Sequence, residues 1–188
     1  MEAAQAEFTE RGFEAARMED IAKRAGLSKA GVYLYFPSKM ALLEALIEAK
    51  VAPLAEAAST IALQGVEDPL TALKLLGRVA AHRLSDPNII AVPRLVIGLT
   101  ARFPEIADYY RTHVAEPARA ALESLLQAAM AKGAIRRIDP RAASRAFIGP
   151  LFFEAMWTHV LRGEPNADPE RLVQEHFDIL LNGLEHRA

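Results

Sequence analysis

Apolar residues recur three and four positions apart along most of this chain, and runs of β-branched residues are scarce. This spacing places the apolar side chains on one face of an α-helix, so the pattern predicts an all-α protein. Nine helices are predicted, at residues 2–11, 18–25, 29–36, 38–63, 69–84, 88–101, 104–132, 140–162 and 169–186.

Short sequence signals mark the predicted helix ends. The dipeptide Asp-Pro begins at Asp68, Asp86, Asp139 and Asp168. An aspartate accepts a hydrogen bond from the free amides of a first turn, and a proline after it loses none, so we expect four helices to begin there. Five glycines are expected to close segments as left-handed caps: Gly12, Gly26, Gly65, Gly133 and Gly163. Three prolines inside predicted helices should kink or split them: Pro53, Pro117 and Pro150.

Residues 18–36 contain two short predicted helices joined by a tight turn. Gly26 permits the positive φ of the turn, and Ser28 can cap the second helix. A helix-turn-helix of this kind places its second helix in the major groove of DNA. Its small core is predicted to contain Ile21, Ala22, Ala25, Leu27, Val32 and Phe36.

The second of these helices carries residues suited to DNA. Its outward side chains are predicted to be Lys29, Ala30, Tyr33, Leu34 and Tyr35. Gly31 costs the helix about 1 kcal/mol relative to alanine, which is easier to explain if backbone must approach a base edge or sugar. Lys39, on the first turn of the next helix, is placed to bind a phosphate. Every charged residue between positions 21 and 43 is a cation, although the segment before it is acidic.

Composition narrows the class of protein. The chain has 188 residues, 52% of them hydrophobic, and a formal net charge of -2. It has no cysteine, which excludes disulfides and thiolate metal sites. The longest apolar stretch, residues 89–99, is interrupted by Pro93 and Arg94 and is too short to span a bilayer. We expect a cytoplasmic protein with no membrane partner.

The sequence gives little support for an enzyme or for a metal-binding protein. The five histidines lack the i, i+4 pairing of metal ligands, and none lies in a motif with a nucleophile: His82, His113, His159, His176 and His186. No glycine-rich phosphate loop is present, and the carboxylates are scattered over helix faces. We expect no catalytic residue, no metal and no cofactor.

The last two predicted helices are strongly apolar, the first of them nearly all round. One side can pack on its own bundle while the other meets a second copy, so we predict a homodimer. Two-fold pairing also suits recognition helices that enter successive grooves about 34 Å apart. The predicted interface consists of Phe147, Leu151, Leu172, Val173, Phe177, Leu180, Leu181 and Leu184. The alternative is that these residues form the core of a monomer.

Aromatic and sparse polar residues in the larger part have the composition of a ligand cavity. The candidates are Arg94, Phe103, Tyr109, Tyr110, His113, Phe152, Met156 and Trp157. Core packing is the alternative for each of them. Arg94, if buried, would need a partner such as Glu154 or an anionic effector.

Three stretches resemble the N-terminal domain of TetR-type transcriptional regulators: FTERGF (8–13), DIAKRAGLSK (20–29) and VYLYFPSKMALL (32–43). Residues 93–97 and 102–105 are similar to the AefR-like branch. The resemblance implies a homodimeric, all-α repressor with a DNA-binding domain at 1–47 and an effector-binding and dimerisation domain at 48–188. Its effector would be a small hydrophobic molecule, and its partner a pseudo-palindromic double-stranded operator. By position, the resemblance assigns DNA contacts to Ser28, Lys29, Gly31, Tyr33, Tyr35 and Lys39, with Tyr33 and Lys39 on phosphates.

Departures from this family pattern leave a second reading open. Arg17 stands where a capping serine or threonine is usual, although arginine could reach a phosphate. Met40 replaces a usual glutamate, and the basic arm before the first helix is absent. The alternative is a helical small-molecule-binding or interaction protein that has lost DNA reading.

Overall fold

The computed structural model describes residues 1–165 and 168–184, and within them every regular element is helical. The α-helices are α1 (Glu2–Ala15), α2 (Met18–Arg24), α3 (Lys29–Tyr35), α4 (Lys39–Lys50), α5 (Ala52–Gln64), α6 (Pro69–Leu84), α7 (Pro87–Leu99), α8 (Pro104–Tyr110), α9 (Glu116–Ala131), α10 (Pro140–His159) and α11 (Pro169–Leu184). A π-helical turn, Arg111–Ala115, joins α8 to α9. The predicted all-α class is confirmed.

All four Asp-Pro dipeptides begin helices as predicted. In each, the aspartate carboxylate accepts a hydrogen bond from a first-turn amide, at 2.8 Å for Asp86 and 3.2 Å for Asp68 and Asp139. The Asp168 carboxylate accepts from the Arg171 amide at 3.0 Å. Each bond satisfies an amide that the helix itself leaves unpaired.

Prolines split two predicted helices but not the third. Residues 38–63 divide at Val51, and Pro53 lies in the first turn of α5. Residues 104–132 divide at the π-helical turn, and Pro117 lies in the first turn of α9. A first turn tolerates proline because its amide has no helical partner. Pro150, by contrast, lies within one continuous helix, α10, so the helix is not split there, and the alternative of a kink stays a prediction.

Of the five glycines predicted to be left-handed caps, three have the expected positive φ and two do not. Gly12, Gly26 and Gly133 have positive φ, as expected of left-handed positions. Gly65 and Gly163 do not, so their assignment as left-handed caps was wrong. A Cβ on Gly65 would lie 2.1 Å from the Cβ of Ala72, and one on Gly163 would lie 2.0 Å from the Trp157 indole nitrogen. Close packing, rather than backbone conformation, requires glycine at these two positions.

The chain forms two compact units. The helix-turn-helix unit comprises Met1–Pro53 together with Ala91–His113. Its interior contains Phe8, Leu43, Leu46 and Ile47, which are almost fully buried, with Ile106 contributed by the later segment. The predicted domain boundary between residues 47 and 48 lies inside α4 and stays a prediction.

The bundle unit comprises Leu54–Ile90 and the described residues from Val114 onward. Its core joins α5, α6, α9, α10 and α11 through large apolar side chains, among them Leu73, Leu76, Leu125, Leu126 and Phe147. Among the described residues, no helix is both long and apolar enough to cross a membrane.

Candidate DNA interface

Helices α2 and α3 are joined by the tight turn that the sequence predicts. The Leu27 amide donates to the Ala22 carbonyl at 2.9 Å, the Gly26 amide donates to the Lys23 carbonyl at 3.2 Å, and Gly26 has φ +69°. These two bonds and the left-handed glycine define a Schellman ending of α2. The Ser28 hydroxyl then accepts from the Gly31 amide at 3.0 Å and caps α3, as predicted.

The small core of this motif differs from the predicted one. Ile21, Ala22 and Val32 are buried as expected. Ala25 and Leu27 are exposed, so their assignment to the core was wrong. The Schellman turn ends α2 at Arg24, and both residues therefore lie in the turn rather than on the inward face of a helix.

Helix α3 presents an exposed face of aromatic and aliphatic side chains. Leu34 is 79% exposed and Tyr35 72%, while Tyr33 is 40% exposed. Lys29 and Ala30 are also exposed, and of the seven residues only Val32 is buried. This exposed face fits a helix that acts by entering a groove. Their contacts with DNA stay a prediction.

Gly31 has a local role that sequence reasoning missed. A Cβ on it would lie 3.2 Å from the Ser28 hydroxyl oxygen, the atom that caps the helix. Glycine thus gives room to the cap, in addition to the predicted close approach to DNA.

The ammonium of Lys29 is paired within the protein. Its Nζ lies 2.5 Å from the Glu19 carboxylate on α2 and 5.9 Å from the centroid of the Tyr33 ring. The hydrogen bond to Lys29 lowers the pKa of Glu19 and in return raises the pKa of Lys29. The cation of the recognition helix is therefore less available than the sequence suggests.

Lys39 is directed at the C-terminal end of α1. Its Nζ donates to the carbonyls of Glu14 and Ala16, at 2.8 and 2.9 Å, and lies 4.9 Å from the centroid of the Phe13 ring. Burial lowers the pKa of Lys39. The ammonium has three donors, so a phosphate contact remains compatible with these two bonds and stays a prediction.

A buried carboxylate, which sequence reasoning missed, links α1 to α2. Glu7 is 1% exposed, and its carboxylate lies 3.0 Å from Arg11 and 3.4 Å from Arg24. Arg24 also forms an ion pair with Glu10, and Arg11 one with Asp20. The sequence signal for this buried carboxylate is the spacing of Ala4, Glu7, Phe8 and Arg11, which are three or four positions apart and therefore share one face of a helix. Two cations and three anions of the helix-turn-helix unit thus pair with one another within the chain.

Arg17 is the N-cap residue of α2 and forms no side-chain cap, as its identity predicts. The Arg17 side chain is exposed, and its contact with a phosphate stays a prediction.

Segment 91–113 holds five of the predicted effector residues and packs on α1 and α4. The Phe103 ring lies 5.5 Å from that of Phe13, and the Tyr109 hydroxyl donates to Glu48 at 2.9 Å. His113 stacks on Tyr109 at 4.1 Å. Desolvation, followed by the Glu48 bond, raises the pKa of Tyr109 to about 12.

The other two effector candidates of this segment differ in environment. Burial raises the pKa of Tyr110 to about 12. Arg94 is exposed, so the condition under which it would need a partner, burial, does not hold.

The three remaining effector candidates lie on α10. Phe152 and Met156 are half-buried and pack against the bundle core. Trp157 is exposed and stacks on Phe153, with ring centroids 6.3 Å apart. A cavity of about 540 Å³ also lies in this unit, between α6, α10 and α11, and is lined mainly by apolar side chains such as Leu84, Leu151 and Val173. It is not lined by any of the eight predicted effector residues, whose role stays a prediction.

Three predicted interface residues belong to the core of the chain itself. Phe147, Leu151 and Phe177 are 2–7% exposed, and the rings of Phe147 and Phe177 lie 4.9 Å apart. A Cβ on Gly77 would lie 1.8 Å from the Phe177 ring, so this ring packs directly on α6. These side chains have too little free surface to contact a partner, and their assignment to an interface needs correction.

The other interface candidates keep some exposure. Leu172, Val173, Leu180 and Leu181 are half-buried, and the Leu184 side chain lies outside the described ones. Exposed apolar side chains that the prediction had not included are found nearby: Phe153 on α10 (61%), Ile179 on α11 (73%) and Leu161 (61%), two residues beyond the end of α10.

A capped helix with an exposed aromatic face, joined by a tight turn to a supporting helix, defines a helix-turn-helix protein. Residues 1–46 match the family described as bacterial regulatory proteins, tetR family, and residues 71–180 match the C-terminal domain of AefR-like transcriptional repressors. The chain belongs to the TetR family of DNA-binding transcriptional regulators.

Individual relatives agree with this assignment. The chain is 27% identical over 153 residues to the uncharacterized HTH-type transcriptional regulator YdeS of Bacillus subtilis (strain 168), covering 79% of this chain and 72% of YdeS. The fatty acid degradation regulator FadR of Bacillus halodurans superposes with a TM-score of 0.71 at 27% identity, covering 99% of this chain and 94% of FadR. FadR of Bacillus subtilis in complex with stearoyl-CoA gives a TM-score of 0.77 at 20% identity, covering 98% and 97%. These relatives are regulators, a class that is not enzymatic.

Proposed function

We propose that this protein is a homodimeric repressor that binds a pseudo-palindromic operator in the cytoplasm and leaves it when a small hydrophobic effector binds. The observation that carries the proposal is helix α3, whose exposed face holds Lys29, Tyr33, Leu34 and Tyr35 and no acidic residue. Phosphate contacts would supply affinity, and the side chains at the groove floor would supply sequence choice.

Selection of bound DNA from a random pool tests operator binding. We expect one enriched, two-fold-related sequence whose affinity falls steeply with salt. Tyr33→Ala should weaken binding to that sequence about tenfold, which corresponds to about 1.4 kcal/mol. Leu63→Ala is the control, because Leu63 is an exposed apolar residue of α5 outside the helix-turn-helix unit. Equal binding of the protein to all duplexes would refute the proposal.

Exposed apolar side chains on α10 and α11 support the dimer. Phe153, Trp157 and Ile179 would lose their water contact against a second copy, and apolar burial contributes roughly 25 cal/mol per Å². A two-fold pair of chains would also present two α3 helices to one operator.

Two observations support a small hydrophobic effector. The cavity of about 540 Å³ lies in the size range of small-molecule sites and has a mainly apolar lining. A structural neighbour, FadR of Bacillus subtilis, is known in complex with stearoyl-CoA. Repression would end if the effector favours a bundle arrangement in which the two recognition helices no longer match the operator.

Within the helix-turn-helix unit, segment 91–113 contacts α1 and α4 and would pass the effect of effector binding to these two helices. Arg102 forms an ion pair with Glu14 at the end of α1, and Tyr109 bonds to Glu48 on α4. A shift of this segment would therefore move α1 and α4 directly.

Titration of the operator complex with stearoyl-CoA, and with uncharged hydrophobic compounds, tests effector release. A compound that binds the protein and weakens operator affinity at least tenfold is expected. A reporter gene behind the operator should then be expressed when that compound is added. Tight binding of hydrophobic ligands with unchanged operator affinity would contradict release by an effector.

A further inference from the structure

Lys29 is the one charged residue of α3, so it carries the electrostatic contribution of the recognition helix by itself. Its ammonium lies 2.5 Å from the carboxylate of Glu19, ten residues earlier on α2. Both side chains are about half exposed, so the pair lies at the surface where DNA would approach.

Two other exposed cations near the turn, Arg17 and Lys23, have a different setting. Neither side chain forms an ion pair or a hydrogen bond in the described part of the chain, although the charge of Arg17 contributes to the lowered pKa of Glu19. Of these cations, Lys29 is the one bonded to Glu19.

We propose that Glu19 is a specificity-determining residue, which holds Lys29 away from phosphates and directs it to the groove floor. The inference rests on the proposed operator binding. A lysine ammonium has three donors, so it can keep the Glu19 carboxylate and still donate to a base acceptor such as guanine O6 or N7. Contact with a phosphate beside the groove would bring that anion next to the Glu19 carboxylate, and the repulsion between the two anions opposes this contact while the pair is kept.

This arrangement affects random DNA more than the operator. On random DNA the affinity comes almost entirely from phosphate contacts, and Lys29 contributes little to them while Glu19 holds it. On the operator the pair is retained and the base contact is added. Glu19 thereby lowers non-specific affinity and widens the ratio between the two affinities.

Replacement Glu19→Gln in the full chain tests the inference by fluorescence anisotropy. An exposed ion pair contributes little, so affinity for a random-sequence duplex should rise about two- to fivefold. The slope of log K against log salt should steepen by about 0.9, the value for one added phosphate contact. Affinity for the duplex selected from the random pool should change less than twofold.

Two matched variants separate release of Lys29 from a simple change in net charge. Glu2→Gln removes the same charge from an exposed position on α1 and should have a smaller effect on random DNA, with an unchanged slope. In a Lys29→Met background, Glu19→Gln should produce no more than this Glu2→Gln effect. Urea unfolding of each variant verifies that the fold is retained.

Several results would overturn the inference. A gain on random DNA that persists in the Lys29→Met background would show a general charge effect. Weaker operator binding by Glu19→Gln, with random binding unchanged, would show that Glu19 only supports the fold of α3. If the wild-type chain prefers no sequence, the proposed function fails, whereas the random-duplex comparison still decides the role of Glu19.

Discussion

Lys39 has a role in the fold beside the phosphate contact that the sequence predicts for it. Its ammonium closes the C-terminal end of α1 through two carbonyls and lies against the Phe13 ring. The sequence predicts only the phosphate contact, because a helix N-terminus is a recognisable anion site and a distant carbonyl is not. The structural role of Lys39 can therefore be measured separately from its predicted contact with DNA.

Lys39→Met keeps the apolar stem and removes the donors. Hydrogen bonds from a charged group contribute about 1.5–3 kcal/mol, and partial exposure of this site reduces that, so the free energy of unfolding should fall by about 1–2 kcal/mol. Urea denaturation measures it, with Lys23→Met, at an exposed position of α2, as the control. Equal stability of the two variants would show that the carbonyl contacts contribute nothing.

Glu7 and Glu10 provide a matched pair on one helix, because both carboxylates contact Arg24. Only Glu7 is buried, and Glu7→Gln would leave Arg24 and Arg11 without their inner partner. Loss of a buried partner costs about 3–5 kcal/mol, and less here because both arginines reach solvent, so we expect about 1–3 kcal/mol. Glu10→Gln should cost less than about 1 kcal/mol. Thermal or urea unfolding compares them, and a larger effect at Glu10 would contradict the role of burial.

At the scale of elements, the turn between α2 and α3 depends on one glycine. Gly26 has φ +69°, which costs an L-residue about 1–2 kcal/mol, although a Cβ there would meet nothing within 4 Å. Gly26→Ala should therefore destabilise the chain by about that amount and weaken DNA binding. Gly98→Ala is the control, because Gly98 lies in α7 with ordinary φ and open space for a Cβ. There alanine should stabilise by about 0.5–1 kcal/mol, and equal effects of both variants in urea unfolding would refute the conformational argument.

The sequence predicts helix starts much better than it predicts what a glycine or proline does. An aspartate followed by proline has one favourable place in a helix, and all four such dipeptides occupy it. A glycine can serve a positive φ or close packing, and the neighbours that decide are distant in sequence. Trp157 excludes a side chain at Gly163 in this way, and Ala72 does so at Gly65. Pro150 does not split its helix, although Pro53 and Pro117 lie where two other predicted helices divide.

At the scale of the whole molecule, an apolar stripe predicts burial but not the surface that covers it. Phe177 and Ile179 lie two residues apart on α11, yet Phe177 packs on Gly77 and Phe147 whereas Ile179 is 73% exposed. Nothing in their identity distinguishes them, because the difference depends on where α6 lies. A dimer interface on these helices, which stays a prediction, would therefore use exposed side chains such as Ile179 and Phe153 rather than the buried Phe177.

The difference in exposure between Phe177 and Ile179 leads to a test of the predicted dimer. Phe153→Glu with Ile179→Glu places two charges on the exposed apolar face without altering the core, so the fold should persist. Burial of unpaired charges opposes association strongly, and we expect at least a hundredfold weaker dimerisation by light scattering at graded concentrations, with operator binding lost in parallel. Leu63→Glu, on an equally exposed residue of α5, should leave both unchanged.

Phe177→Glu should instead unfold the chain, because its ring fills the space between α6 and α10. A double variant that remains fully dimeric would show that α10 and α11 meet no partner, and the two recognition helices would then need another means of reaching one operator.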